Sequence, residues 1–100
     1  MRDMKDAKGK ERRETTHQEQ RAFLEKKIQN KEWKPTTHKI GGKRAYYDSQ
    51  KDLWYTEVKG EKHDFEVWKV SGKKAYHQGA IEPKNGTMYE SAKHGIERFD

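Results

Sequence analysis

The first third of the chain holds few apolar residues, and these are spaced as on one face of a helix. Leu24 and Ile28 stand one helical turn apart, a spacing at which side chains meet. Thr16 and Glu19 have the spacing of a capping box, in which a hydroxyl and a carboxylate each bond the other's free backbone N–H. The pattern predicts a helix over about residues 16–31, which needs a packing partner because its apolar stripe is narrow.

From Pro35 onward, apolar and polar residues alternate in short segments separated by turn residues, as in strands with one buried face. The predicted strands are, in chain order, Thr36–Ile40, Lys43–Tyr47, Leu53–Val58, His63–Val70, Ala75–Glu82 and Thr87–Ala92. Their connections are short, so consecutive strands should pair as hairpins. The sequence predicts an α+β fold: an N-terminal helix packed on a twisted antiparallel sheet of five or six strands, over about residues 36–98.

The composition is that of one small domain. With 100 residues, of which 29% are hydrophobic and 40% charged, the chain can build only a thin core. Residues 1–14 have mixed charge and almost no apolar content, which predicts a disordered arm or linker ahead of a folded domain over residues 15–100. No apolar run is long enough to cross a membrane. We expect the domain to be a monomer.

The charge and the cysteine count limit the chemistry. There are no cysteines, which excludes disulfides, thiolate metal sites and cysteine nucleophiles. The net charge of +6 favours an acidic partner, whether nucleic acid, an acidic protein or an anionic membrane surface. The excess is spread as +2 over residues 1–14, +1 over residues 15–32 and +3 over residues 33–100. Any basic patch must therefore be made by folding.

Alternation sorts the side chains of the fourth predicted strand. Phe65 and Val67 point to one side of the sheet, and Glu66 and Trp68 to the other. If the first pair faces the helix, the second pair lies on the open face. Pairing with the next strand can set His77 beside Glu66, although the sequence does not fix the register. Strict alternation in that strand gives one side to Ala75, His77, Gly79 and Ile81.

A carboxylate, an imidazole and aromatic rings among lysines match the needs of metal-free RNA cleavage. The reaction requires a base for the 2′-hydroxyl proton, an acid for the leaving oxygen and cations around the phosphate. Glu66 is the candidate base and a histidine the candidate acid. Aromatic side chains can stack an unpaired base, and the candidates are Trp68, Tyr76 and Tyr55. The lysines predicted to surround the site are Lys62, Lys69, Lys73 and Lys74.

The same residues admit other interpretations. DNA cleavage lacks the internal nucleophile and usually needs a metal, and no run of Asp or His has ligand spacing, so RNA is the better substrate. No metal or cofactor is predicted. A mid-strand Glu on a solvated face can serve solubility alone, and Trp68 and Tyr76 can form a cross-strand packing pair. The alternatives are a non-catalytic RNA- or ribosome-binding module and a basic protein-interaction domain with an acidic partner.

Several segments carry a family resemblance. They are Tyr46-Tyr47, Trp54-Tyr55, HDFEVW at 63–68, HQGAIEPKNG at 77–86 and KHGI at 93–96. Over about residues 45–98 they resemble the cytotoxic ribonuclease domain of the ribosome-inactivating colicins, which is also found at the ends of other bacterial competition toxins. HQGAIEPKNG is the most specific piece, because it matches the family's segment position by position, with Glu82 in place of Asp and Asn85 in place of Thr.

The resemblance implies a twisted antiparallel sheet with an N-terminal helix, and metal-free cleavage of small-subunit ribosomal RNA in the decoding region. It also implies a bacterial toxin that is secreted or delivered into the cytoplasm of a target cell. A cognate acidic immunity protein would protect the producing cell. An altered site on this scaffold would cut another RNA, such as tRNA.

Carried onto this sequence, the family pattern makes Glu66 the general base and His63 or His77 the general acid. His94 takes the position of the family's tail arginine, and the other basic residues expected at the RNA are Lys62, Lys93 and Arg98. His63 precedes Glu66 by three residues, where the family has four, and the family's aspartate has no counterpart. Either a one-residue deletion restores His63 to its role, or the acid–base pair is rebuilt around Glu66 and His77.

Overall fold

The computed structural model describes residues 16–59, 63–90 and 95–100. Helix α1 spans His17–Gln29 and is followed by strands β1 Lys34–Ile40, β2 Lys43–Asp48, β3 Leu53–Glu57, β4 Phe65–Ser71, β5 Lys74–Glu82, β6 Thr87–Glu90 and β7 Ile96–Arg98. The predicted α+β class with an antiparallel sheet is confirmed. The arm predicted over residues 1–14 lies outside the described residues. No helix within them has the length and apolar character needed to cross a membrane.

The helix begins at the predicted capping box. The backbone N–H of Glu19 donates to the Thr16 hydroxyl at 3.1 Å, and that of Thr16 donates to the Glu19 carboxylate at 2.8 Å. The buried Gln20 amide donates to the carbonyl oxygens of Val58 and Asp64, both at 3.1 Å. Because these carbonyls lie on either side of the β3–β4 connection, Gln20 fixes the helix to that end of the sheet.

The predicted strands are all present, with ends that differ by one or two residues; the end predicted at Ala92 lies outside the described part of the chain. They pair antiparallel in the order β1-β2-β3-β4-β5-β6. β7 is an additional strand that the sequence did not predict. It pairs with the start of β5, where Ile96 lies opposite Tyr76, whereas β6 pairs with the end of β5, where Tyr89 lies opposite Ala80.

The sheet curls until its two ends meet. Ile40 of β1 forms a bridge with Phe99, and the backbones of Lys39 and Asp100 exchange hydrogen bonds of 2.9 and 3.1 Å. The backbone N–H of Gly41 also donates to the carbonyl of Arg98. The sheet therefore has an outer face, which carries α1, and an inner face, which the curled strands surround.

Each face has its own hydrophobic cluster. The outer cluster joins the helix to the sheet through Leu24, Trp33, Tyr55, Phe65 and Val67. The inner cluster consists of Ile40, Ala45, Trp68 and Ala75, with Trp54, Val70 and Phe99 packed against it. The prediction that Phe65 and Val67 face the helix is confirmed. The face opposite to them is not fully open, because Trp68 is buried in the inner cluster.

Burial of Tyr55, which is 2% exposed and stacked on Trp33 at 4.0 Å, raises the pKa of its hydroxyl from 10.0 to about 12. Between these pH values the unfolded chain has lost the proton that the folded chain still holds. The free energy of unfolding therefore falls as the pH rises, by about 1.4 kcal/mol per pH unit. We expect Tyr55→Phe to flatten this fall in urea unfolding curves, and Tyr76→Phe, at an exposed tyrosine, to leave it unchanged. An unaltered alkaline slope in Tyr55→Phe would contradict the expectation.

Candidate active site

Glu66 and His77 come together on the inner face. Oε2 of Glu66, in β4, lies 3.5 Å from Nε2 of His77, in β5. Their side chains are 32% and 18% exposed, so the pair is partly shielded from water. The prediction that the β4–β5 hairpin can set His77 beside Glu66 is confirmed.

A bulge in β5 produces this arrangement. Val67 pairs with Gly79, but the next residue, Trp68, pairs with His77, which leaves Gln78 as an extra residue in β5. Without the bulge, Gln78 would lie beside Trp68 and His77 would point to the outer face, since a shift of one residue reverses the sides of a strand. The prediction that Gly79 and Ile81 share a side with His77 is wrong for this reason. Ile81 packs against the outer cluster.

Trp68 packs against the imidazole of the pair on the inner face. Its indole Nε1 donates to the Thr56 hydroxyl at 2.9 Å, and the two residues are 5% and 0% exposed. The His77 ring stands edge-on to the indole, with centroids 4.9 Å apart. The His77 backbone N–H donates to the carbonyl of Gly95 at 2.8 Å. A satisfied, buried tryptophan and a backbone bond therefore fix the imidazole from two sides.

The His77 Nε2 atom is buried and makes no hydrogen bond within the described part of the chain. Its 3.5 Å contact with Glu66 is longer than the charge-assisted bonds that such groups form at their best distance. A buried polar atom without a hydrogen bond in a folded protein calls for an explanation, and a catalytic role is one. Nε2 thus has an unused hydrogen-bonding position on the side of the Glu66 carboxylate.

Two further residues extend the site, and sequence reasoning assigned neither of them to it. Ala80 lies opposite both Glu66 and Tyr89, so these side chains share the inner face. The Tyr89 hydroxyl donates to the carboxylate of Glu82, 3.3 Å away. In the sequence, Glu82 stands out only as the residue that replaces the family's Asp in HQGAIEPKNG. Alternation along β6 predicts that Tyr89 lies on one side of the sheet. Which side that is depends on the pairing of β6 with β5, which the sequence does not give.

Gly79, the glycine of the His-Gln-Gly segment, allows β6 to approach β5. A Cβ atom at this position would lie 2.0 Å from the backbone oxygen of Tyr89, and the φ of +157° is one that other residues rarely adopt. The segment thus has two structural consequences. The extra Gln78 turns His77 inward, and Gly79 brings the strand that carries Tyr89 alongside.

The aromatic residues predicted to stack RNA do not all fit that role. Tyr55 and Trp68 are 2% and 5% exposed, and Tyr55 packs under the helix, so the prediction is wrong for both. Tyr76 is exposed, but it pairs with Lys69 on the outer face, opposite to Glu66. The ring of Tyr76 is therefore separated from the acid–base pair by the sheet.

The predicted ring of lysines around the site is also wrong for its described members. Lys69 lies on the outer face, Lys73 lies in the tight turn between β4 and β5, and Lys74 is the first residue of β5. Ser71, opposite Lys74, is five residues from Glu66, a separation of roughly 17 Å along a strand. The predicted residues Lys62, Lys93 and His94 lie outside the described residues.

Two further candidates lie elsewhere. His63 precedes β4, and its ring stands edge-on to that of His17 at the start of the helix, with centroids 5.8 Å apart. Arg98 pairs with Lys74, is exposed, and its Nε donates to the Asp100 carboxylate at 2.8 Å. Of the histidines whose position is described, His77 is the one that contacts Glu66.

No group of three His, Cys, Asp or Glu side chains with the arrangement of a metal site occurs in residues 16–59, 63–90 and 95–100. Comparisons with protein-family models, with curated proteins and with solved structures found no match for this chain. The likeness to colicin-type ribonuclease domains therefore rests on the sequence segments that carry it.

Proposed function

We propose that this chain is a toxin-type endoribonuclease that cleaves RNA by acid–base catalysis at Glu66 and His77. The observation that carries the proposal is the 3.5 Å contact between these side chains, one a base and the other an acid, on a partly shielded face. A β-bulge and a buried tryptophan arrange the pair. A catalytic pair requires side chains whose mutual geometry is fixed by packing and hydrogen bonds, as it is here.

The reaction is a transesterification within the RNA. The Glu66 carboxylate takes the proton from a ribose 2′-hydroxyl, and the 2′-oxygen forms a bond to phosphorus. The bond from phosphorus to the 5′-oxygen of the next nucleotide breaks, and protonated His77 gives that oxygen its proton. The products are a 2′,3′-cyclic phosphate and a 5′-hydroxyl, and Glu66 and His77 must exchange a proton before the next cycle.

The two side chains must separate when the substrate binds. The attacking and leaving oxygens lie on opposite sides of phosphorus in an in-line displacement. A phosphodiester that enters the site therefore lies between Glu66 Oε2 and His77 Nε2, and the contact in the free protein opens. We expect Trp68 to keep its position during this change, because it is buried and its indole is bonded to Thr56.

The substrate and partners follow from the resemblance. Small-subunit ribosomal RNA is the first candidate substrate and tRNA the second, and a cognate acidic immunity protein is the expected partner. Delivery into the cytoplasm of a target cell belongs to the same proposal. Lys62, Lys93, His94 and Arg98 remain predictions for phosphate contacts, because none of them is placed beside the pair by the described residues.

The test is cleavage of purified ribosomes and of total tRNA in the presence of EDTA. We expect a discrete new fragment with a 2′,3′-cyclic phosphate at its 3′ end. A strict requirement for a divalent metal, or a 3′-hydroxyl product, would contradict the mechanism. Salt-dependent RNA binding without strand scission would favour the non-catalytic module, and absence of RNA binding above the non-specific level would favour a protein-interaction domain.

A further inference from the structure

A ribonuclease that acts on unpaired RNA needs a flat side chain on which a base can stack beside the scissile phosphate. Two of the aromatic residues predicted for this purpose are buried and the third lies on the outer face. Tyr89 is different. It is 41% exposed, and its row in the sheet places it on the same face as Glu66.

The register gives the spacing between the two side chains. Glu66, Ala80 and Tyr89 lie side by side on β4, β5 and β6. Neighbouring strands are about 4.8 Å apart, so Glu66 and Tyr89 are separated by roughly 10 Å at their backbones. The side chain between them is a single methyl group. The row between the candidate base and the tyrosine ring therefore carries no bulky side chain on β5.

The tyrosine is held in place. Its hydroxyl donates to Oε1 of Glu82, which is 9% exposed and therefore anchored in the fold. Glu82 precedes Pro83, and its carbonyl accepts a 2.7 Å bond from the backbone N–H of Gly86, which closes the β5–β6 turn. A ring with a fixed hydroxyl loses less conformational freedom when a base stacks on it.

We propose that Tyr89 stacks the nucleobase next to the scissile phosphate of a single-stranded RNA, and that Glu82 is a positioning residue for its ring. This inference rests on the proposed ribonuclease function for its substrate class. The occupant is an unpaired nucleotide, because a base inside a helix has no free face to offer. The hydrogen bond from the Tyr89 hydroxyl to Glu82 orients the ring, and the face of the ring stacks against the base.

The experiment separates binding from cleavage. The binding probe is a short single-stranded RNA with 2′-O-methyl groups throughout, which cannot be cleaved, and 2-aminopurine at one position in turn. We expect its fluorescence to be quenched on binding at one position, and Tyr89→Ala to remove the quench and weaken binding about 10-fold or more. Tyr89→Phe should keep the quench with a smaller loss of affinity, since the ring remains and only the hydrogen bond to Glu82 is removed.

Tyr76→Ala is the matched control, because Tyr76 is 37% exposed and lies on the opposite face. On a cleavable RNA of the same sequence, Tyr89→Ala should act mainly through KM, whereas a change of the acid–base pair acts through kcat. Urea unfolding of each variant shows whether the fold is retained.

The outcomes distinguish the two proposals. Cleavage that is as sensitive to Tyr76→Ala as to Tyr89→Ala, or insensitive to both, overturns the stacking role and leaves the ribonuclease intact. Binding with a Tyr89-dependent quench but no cleavage overturns the ribonuclease and supports the stacking role. Absence of both binding and cleavage overturns both.

Discussion

Replacing Glu66 with Gln is expected to lower the rate of RNA cleavage by about 100- to 10,000-fold, the usual contribution of a general base. The amide keeps the size and shape of the carboxylate but cannot accept the 2′-hydroxyl proton. His77→Gln should cause a loss of similar size because the leaving oxygen is then unprotonated. The double variant should be little worse than either single one, since two groups that act in one step are not additive. The measurement is single-turnover cleavage of purified ribosomes.

Glu90→Gln is the matched control for Glu66→Gln. Glu90 is an exposed strand carboxylate, and its pairing with Gly79 places it on the outer face. The Glu90→Gln variant should cleave RNA at the rate of the natural chain. Full activity in Glu66→Gln, with an unchanged urea midpoint, would show that another residue is the base, and the carboxylate at position 66 would then be a solubility residue of the sheet.

Gly79→Ala is expected to destabilise the fold by about 3 kcal/mol, at the upper end of the range for overpacking. The new methyl would lie 2.0 Å from the backbone oxygen of Tyr89, and a backbone atom cannot yield as a flexible side chain can. Relief of the clash requires β6 to move away from β5, so Tyr89 should also leave the inner face. The measurement is the free energy of unfolding in urea, with cleavage assayed under conditions in which the variant is folded.

Gly95→Ala serves as the control, since an added Cβ there meets no atom of residues 16–59, 63–90 and 95–100 within 4 Å and no positive φ is involved. It should change stability by less than about 0.5 kcal/mol. A Gly79→Ala variant as stable as the natural chain would mean that β6 does not approach β5 as closely as the structure shows.

Much of the fold follows from local pattern. The capping box at Thr16 and Glu19, the alternation of each of the first six strands and the helix-facing side of Phe65 and Val67 depend on neighbours within a few residues. The pairing of such strands into hairpins depends on turns that are also local. Physical chemistry of short segments is therefore sufficient for these features.

The candidate site depends on contacts between segments that are distant in the sequence. Nothing in the composition of β5 marks Gln78 as an extra residue, because a bulge is defined only against the partner strand. Alternation predicts that Trp68 lies on the open face of the sheet. In the structure the sheet curls, and Trp68 is buried against Ile40 and Ala75. The three residues of β7 are too few to show alternation. The sequence predicts that His77 can lie beside Glu66. Strict alternation does not predict the bulge at Gln78 that places it there.

The pairing of β1 with residues 98–100 affects the order in which the protein folds. Lys39 and Asp100 bond to each other from far apart in the chain, and contacts of long sequence separation are costly in entropy before they form. The hairpin of β4 and β5 is local and can pair early. The inner cluster around Trp68 is complete only when the last residues are paired with β1, because Phe99 packs against it. We expect these contacts to form after the β4–β5 hairpin when the chain refolds from urea.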